Sequence, residues 1–234
     1  MKLPDTPSRK DVLRLLAESS IFGNLGLFVG AGLSKAVAPS DGVAGALSWG
    51  ELLESAAEKL GLNWSDHIKP GLSYPEIASA LCRSYSQKET VNYDSARDEL
   101  KWQLARLTDW LPDPELEAPF RERLTALSPA WVITTNYDLV VESILGNQFE
   151  SLGPSRHFVA RKGLVPVYHL HGIRTDPDSI VITQEDYVAL FRPYDYRQTR
   201  LALTLEESAT LFLGYSLSLT VLPNVVRRLE EVPP

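Results

Sequence analysis

The sequence predicts an α/β fold: a mostly parallel sheet with helices on both faces and a helical insert. Three observations predict it. Short apolar or β-branched runs alternate with helical patterns, the order of strand–helix–strand units. Those runs are continuously apolar, as strands covered on both faces read. One stretch, about residues 48–128, carries helical signals and no strand signal.

Residues 8–20 read as an amphipathic helix, with Val12, Leu13, Leu15 and Leu16 apolar. Leu25–Val29 is a short apolar run ending at a glycine and reads as a buried strand. Ser48-Trp49-Gly50-Glu51 has the form of a capping box, so a helix should run from there to Leu60 and stop at Gly61. Pro75 suits the first turn of the next helix, near Glu76–Tyr85. Asp94–Leu111 has leucines at helical spacing, and Asp113-Pro114 opens a further helix that ends before Pro129. Strand signals return at Trp131–Thr135, Val165–Leu170, Ile180–Thr183 and Thr210–Leu213, with helical patterns at Asp138–Leu145 and Glu185–Phe191. The whole chain, 1–234, reads as one domain. The block 48–128 reads as an insert over the sheet, and 229–234 as a linker or cut end.

Composition narrows the function classes. The chain has 234 residues, 44% hydrophobic and 23% charged, enough to bury a sizeable core. With 23 Lys+Arg against 30 Asp+Glu its net charge is −7, the wrong sign for bulk binding to nucleic acid. A single cysteine, Cys82, makes neither an intramolecular disulfide nor a four-cysteine zinc site. No apolar run approaches the ~20 residues of a membrane span, and the N-terminus lacks the apolar stretch of a signal peptide. The expected compartment is the cytoplasm, with no membrane and no direct nucleic-acid partner.

Four candidate sites each directly follow a predicted strand. Gly30-Ala31-Gly32-Leu33-Ser34 follows Leu25–Val29. Glycines there let backbone N–H groups approach a phosphate, and a helix N-terminus adds partial positive charge; a tight strand-to-helix turn is the plainer reading. It is neither a phosphate-binding Gly-Lys-Ser/Thr loop nor a full dinucleotide fingerprint, since Lys35 stands where the third glycine would be. Thr134-Thr135-Asn136-Tyr137-Asp138 follows the second strand, where Asn136 or Asp138 could cap a helix and still face a cleft. His169-Leu170-His171-Gly172 puts two histidines two residues apart, hence on one strand face. A metal there lacks a third ligand at plausible spacing, because His157 and His67 have no motif around them. His171 at a strand tip suits a general base, and a hydrogen-bonded core histidine is the plainer reading. Gly214-Tyr215-Ser216-Leu217 follows the last strand and could meet a ribose hydroxyl. In open α/β sheets ligands bind beyond the carboxyl ends of the strands, so Gly30, Asn136, His171 and Gly214 should converge on one cleft. No Gly-x-Ser-x-Gly elbow or His-Glu-x-x-His motif supports other hydrolase chemistries.

In this order the four motifs resemble those of sirtuins, and more closely the sirtuin-like domains of bacterial anti-phage defence proteins. The resemblance rests on Gly30-Ala31-Gly32-Leu33-Ser34, Thr134-Thr135-Asn136-Tyr137-Asp138, Leu170-His171-Gly172, Asp186-Tyr187 and Gly214-Tyr215-Ser216, and covers about residues 22–228. With it, the expected sheet is Rossmann-like. Two departures stand out. The four-cysteine zinc ribbon of sirtuin deacylases is missing, so no zinc is expected, and Leu219 stands where the defence-type domains often carry Asp. The resemblance implies NAD+ as substrate, hydrolysed to nicotinamide and ADP-ribose. It implies Asn136, Asp138 and His171 as catalytic residues, and Gly30, Ala31, Gly32, Ser34, Thr135, Gly214 and Ser216 as NAD-binding residues. It implies an effector gated by oligomerisation or by a fused or separate regulatory partner. The rival readings are an NAD-dependent protein deacylase and a non-catalytic NAD or ADP-ribose sensor.

Overall fold

The computed structural model describes residues 7–38, 45–154, 160–190 and 196–215. Five strands, β1 (Leu25–Val29), β2 (Trp131–Thr134), β3 (Phe149–Leu152), β4 (Val165–His169) and β5 (Ala209–Leu213), form one sheet in the order β3-β4-β2-β1-β5. Every pairing is parallel. This is a Rossmann-like α/β fold. β1 lies between β2 and β5 and all five of its residues are buried, which explains its unbroken apolar run.

Alternation along the strands splits the core in two. Leu27, Val29, Val132 and Val167 face α2 (Ala31–Val37), α6 (Pro114–Leu127) and α7 (Val140–Leu145). Phe28, Ile133 and Tyr168 face the opposite way, toward α8 (Gln184–Leu190) and α9 (Tyr196–Glu207). Helix α1 (Arg9–Ile21) is capped by Ser8 and packs near β1 and β5. Between β1 and β2 come α3 (Trp49–Lys59), α4 (Tyr74–Glu89) and α5 (Tyr93–Leu107), followed by α6. The first three share a core of their own around Leu53, Leu81, Leu100 and Leu104, into which Tyr137, Ile180 and Ile182 also pack.

Local chemistry sets the ends of these helices. Ser48 and Glu51 make the reciprocal capping box, and Gly61 follows α3 at φ +65°. Pro75 sits in the first turn of α4. The Asp113 carboxylate accepts from the N–H groups of Glu115 and Leu116 at the start of α6. α5 ends at Leu107, short of the predicted Leu111. Thr108 turns its hydroxyl back onto the Leu104 carbonyl there, and Leu111 is exposed.

One predicted strand is absent. Ile180–Thr183 is buried but unpaired in the sheet. Its backbone is satisfied by other partners: Val181 N–H donates to the His171 carbonyl, and the Ile182 and Thr183 N–H groups donate to the Asp186 carboxylate. The Val181 carbonyl accepts from the Tyr137 hydroxyl. An apolar run needs burial, not a ladder, once its polar groups find such partners. In its place the sheet gains β3, an edge strand the sequence reading did not anticipate. Helix α9 was likewise unanticipated.

The turn after β1 and the end of β5 meet backbone to backbone. Gly32 N–H donates to the Gly214 carbonyl at 2.8 Å, and Gly30 N–H to the Leu213 carbonyl at 3.0 Å. A Cβ on Gly214, whose φ is +59°, would fall 2.3 Å from the Leu33 nitrogen. Gly23 has a similar φ of +66° but open space around it. Gly214→Ala should therefore lower stability by about 1–3 kcal/mol, and more than Gly23→Ala does. Urea midpoints of the two variants check this, and equal losses would place the whole effect in backbone strain.

Candidate active site at the carboxyl edge of the sheet

The ladder brings the candidate motifs together. Val29 is registered with Thr134 and with Leu213, and Thr134 with His169. The residues that leave these strand ends therefore emerge along one edge. β1 has β2 on one side and β5 on the other, so the chain order reverses at β1, where open α/β sheets hold ligands.

Ser34, fully buried on α2, is the hub. Its hydroxyl donates to Asp138 Oδ2 at 2.9 Å and accepts from the Asn136 amide Nδ2 at 3.0 Å. Asp138 Oδ1 accepts from the Val140 N–H, so Asp138 caps α7 from two residues before its start. Capping and site geometry coincide here, as the sequence allowed. Ser34, expected among the NAD-binding residues, has its hydroxyl engaged by two other candidate residues. Burial pushes the Asp138 carboxyl up to about 6, against the opposing pull of its bonds from Val140 and Ser34.

Ala31, Thr135, Asn136, Tyr137 and Asp138 line a pocket together with Leu47, Trp49, Leu52, Thr108 and Trp110. It encloses about 280 Å³, its open mouth included. The Ala31 N–H, at the first position of α2, has no intrahelical acceptor. Gly30, Gly32 and Gly214 do not line the pocket; their close mutual packing shapes the turn that carries Ala31.

His171 follows β4 and is 1% exposed. Its ring stands edge-on to Trp49 and Tyr187, with centroids 6.3 and 5.4 Å away. Both ring nitrogens lack a hydrogen-bond partner among the described residues. Burial alone lowers its pKa to about 3. Trp49 thus both lines the pocket and neighbours the histidine. Gly172 makes the sharp turn expected of it at φ +95°, pressed against the Ser179 carbonyl. Ser216, along with His157, Leu219 and 229–234, lies outside the described residues.

His169 and His171 do not act as a pair. His169 bonds the Asn136 carbonyl and Glu142, while His171 lies among aromatic rings. Among the described residues no group of three His, Cys, Asp or Glu is arranged for a metal. Cys82 is buried, its thiol pushed up to about 12 chiefly by that burial. No described helix is long and apolar enough to cross a membrane.

Sequence reasoning missed Trp49, Trp110 and Thr108, which carry no spacing signal. It also missed Glu142, a charge among Val140, Val141 and Ile144, and that placement is a readable sign of a buried partner.

An open parallel α/β sheet with a polar cleft at its carboxyl edge defines the class of this protein. Within that class, residues 130–231 match the family model described as a SIR2-like domain. Across most of its length the chain is similar to proteins named NAD(+) hydrolase ThsA. It is 27% identical to that of Enterococcus faecium, covering 96% of this chain and 43% of the relative. It is 29% identical to that of Acinetobacter baumannii, covering 88% and 39%. It is 22% identical to defense-associated sirtuin 2 of Bacillus subtilis, covering 94% and 21%. The chain thus spans less than half the length of these relatives.

The buried histidine gives a pH signature. The ordinary imidazole titrates near 6.5, whereas folded His171 stays neutral down to about 3. Between those values the unfolded chain binds more protons. Its contribution is therefore intact above ~6.5 and is lost as pH falls toward 3, at on the order of 1 kcal/mol per pH unit. Asp138 acts oppositely: its raised pKa favours the fold below ~4, and that contribution is lost as pH rises through about 6. His171→Phe, which keeps an aromatic ring against Trp49 and Tyr187, should flatten the acid limb. Urea midpoints from pH 7 to 4 test this; parallel curves for variant and wild type would count against it.

Proposed function

We propose that this chain is an NAD+ glycohydrolase domain that cleaves the nicotinamide–ribose bond to give nicotinamide and ADP-ribose, as a gated effector of anti-phage defence by NAD+ depletion. The observation that carries the reading is His171: a buried imidazole with both nitrogens unpartnered among the described residues, beside a pocket lined by Asn136 and Asp138. A group left so in a native fold calls for a functional explanation. The names of the relatives support the substrate.

The chemistry asks little of a base. Nicotinamide leaves from its pyridinium form without being protonated, through an oxocarbenium-like transition state. The protein has to hold the dinucleotide, exclude bulk water and aim a nucleophile. Neutral His171 accepts a hydrogen bond from the attacking water or a ribose hydroxyl and takes the proton that hydrolysis releases. Asn136, held by Ser34, orients the water or the ribose near the reacting carbon. Asp138, poised near neutrality, contacts the carboxamide of nicotinamide. Ala31, on the turn that Gly30 and Gly32 shape, meets the pyrophosphate, with Thr135 beside it. Gly214 and Ser216 hold the adenosine ribose. Ser34 serves the site by ordering Asn136 and Asp138. No zinc takes part.

We place the regulation in residues 48–128, read as an insert within a single domain. Trp49 and Trp110 on the pocket wall belong to that block. An unchecked NADase would exhaust its host, so oligomerisation or a fused or separate partner would set the position of this wall.

Incubation with NAD+ alone should release nicotinamide. His171→Ala and Asn136→Ala should each lower the rate by roughly 10²–10⁴-fold with the fold intact. Release that requires an acetylated peptide would identify a deacylase, and NAD+ binding without turnover a sensor. Turnover per chain should fall on dilution; a constant value, unaffected by partners, would remove the gating.

A further inference from the structure

Beneath the pocket lies a buried ionisable pair that the proposed chemistry does not use. His169, the last residue of β4, is fully buried, and Glu142 on α7 is 6% exposed. His169 Nε2 stands 2.6 Å from Glu142 Oε1, and Nδ1 stands 3.0 Å from the Asn136 carbonyl oxygen. Glu142 Oε1 also accepts from the Ser151 hydroxyl on β3.

The protons follow from these partners. A carbonyl oxygen only accepts, so Nδ1 carries a hydrogen and donates it to Asn136. A proton must also lie between Nε2 and Glu142 Oε1, since two bare lone pairs at that distance repel. The pair is therefore an imidazolium with a carboxylate, or an imidazole with a carboxylic acid, and neutral overall in either form. Burial alone would lower His169, but the facing Glu142 and the bond to Asn136 outweigh it and hold its pKa up. The Asn136 carbonyl thus requires the hydrogen on Nδ1, while Glu142 holds the other nitrogen and with it the ring.

Asn136 is thereby held at three points. Its N–H donates to the Thr134 hydroxyl at 3.1 Å, its side-chain amide to Ser34, and its carbonyl accepts from His169. Of these anchors only His169 comes from β4, the strand that two residues later delivers His171. We infer that His169, its ring held by Glu142, is a positioning residue that sets the distance and orientation of Asn136 relative to His171. The inference rests on the proposed roles of those two residues.

Three variants and two kinds of spectrum test it. The amide nitrogen of Asn can stand where Nδ1 stands, and that of Gln reaches where Nε2 stands. His169→Asn should therefore keep kcat within about tenfold of wild type. His169→Gln should lose roughly 10²-fold in kcat, with KM for NAD+ little changed and cooperative melting retained, as for an ångström-scale misplacement. Glu142→Gln, which keeps a hydrogen bond to Nε2 without charge, should resemble His169→Asn. Folded His169→Asn and His169→Gln with equal kcat, both high or both low, would overturn the positioning role. Should wild type release no nicotinamide, the proposed function fails by itself. Positioning is then read from the ¹⁵N side-chain resonances of Asn136, which should move in His169→Gln and not in His169→Asn. Should the His169 variants not fold, ¹⁵N imidazole spectra of the wild type decide: a hydrogen on Nδ1 is expected, and a bare Nδ1 refutes the arrangement.

Discussion

Gly32 donates its N–H to the carbonyl of Gly214, and around that 2.8 Å bond two stretches of chain meet with no side chain between them. The contact closes the β1–α2 turn against the end of β5. With the turn closed, α2 starts at Ala31 and brings Ser34 around beneath the β2 turn, where its hydroxyl meets Asn136 and Asp138. A side chain at Gly32 or Gly214 would push these backbones apart and move Ser34 with them. The glycines thus have a reason to be present before any phosphate is considered. What the fold gains is a fixed geometry for polar groups carried by two different strands.

This bears on what the sequence could tell. The strands at 25–29, 131–134, 165–169 and 209–213 were legible because a parallel sheet covered on both faces demands continuous apolar runs, and these have them. The capping boxes and proline starts were legible because they are local. β3 was not, because Phe149-Glu150-Ser151-Leu152 lies at the sheet edge with two polar residues at its middle, so its burial signal is weak. Ile180–Thr183 was misread for the opposite reason. It is as apolar as a strand, but Asp186 and His171 satisfy its backbone, and apolarity does not report where a hydrogen bond goes. In the candidate site, the residues at strand ends were readable from position. Their wiring was not: nothing in the spacing of Ser34 and Asp138 shows that one donates to the other across 104 positions of chain. Trp49 and Trp110 reach the pocket through tertiary packing, which leaves no periodic trace.

The helical block bears on the same edge. Tyr137, Ile180 and Ile182 are buried in the core that α3, α4 and α5 share, so residues of the β2 turn and of the segment after Gly172 pack against these helices. Buried Lys101 on α5 pairs with Asp186 at 3.0 Å, and Ser79 and Tyr93 bond Glu185, which ties the block to α8. A displacement of these helices would be felt at Tyr137, one residue from Asn136, and at Trp49, the neighbour of His171. Packing therefore links the pocket wall and its polar floor, and a change imposed on one reaches the other through side chains in contact.

Two histidines two residues apart experience the same desolvation and end in opposite states. Burial lowers both. For His169, Glu142 and the Asn136 carbonyl reverse the outcome; for His171 nothing among the described residues does, and its pKa falls to about 3. The difference lies in partners, since depth is nearly the same, 0% and 1% exposed. Evolution of a stable core would remove an unpartnered imidazole or supply it with an acceptor, because an unsatisfied buried polar group is destabilising by about 1–3 kcal/mol. Glu142 shows that the fold can supply one a short distance away. That His171 remains without one, shielded by Trp49 and Tyr187, is what a group waiting for a ligand hydroxyl or water requires. Its neighbour two positions earlier, the last residue of β4, is the structural histidine.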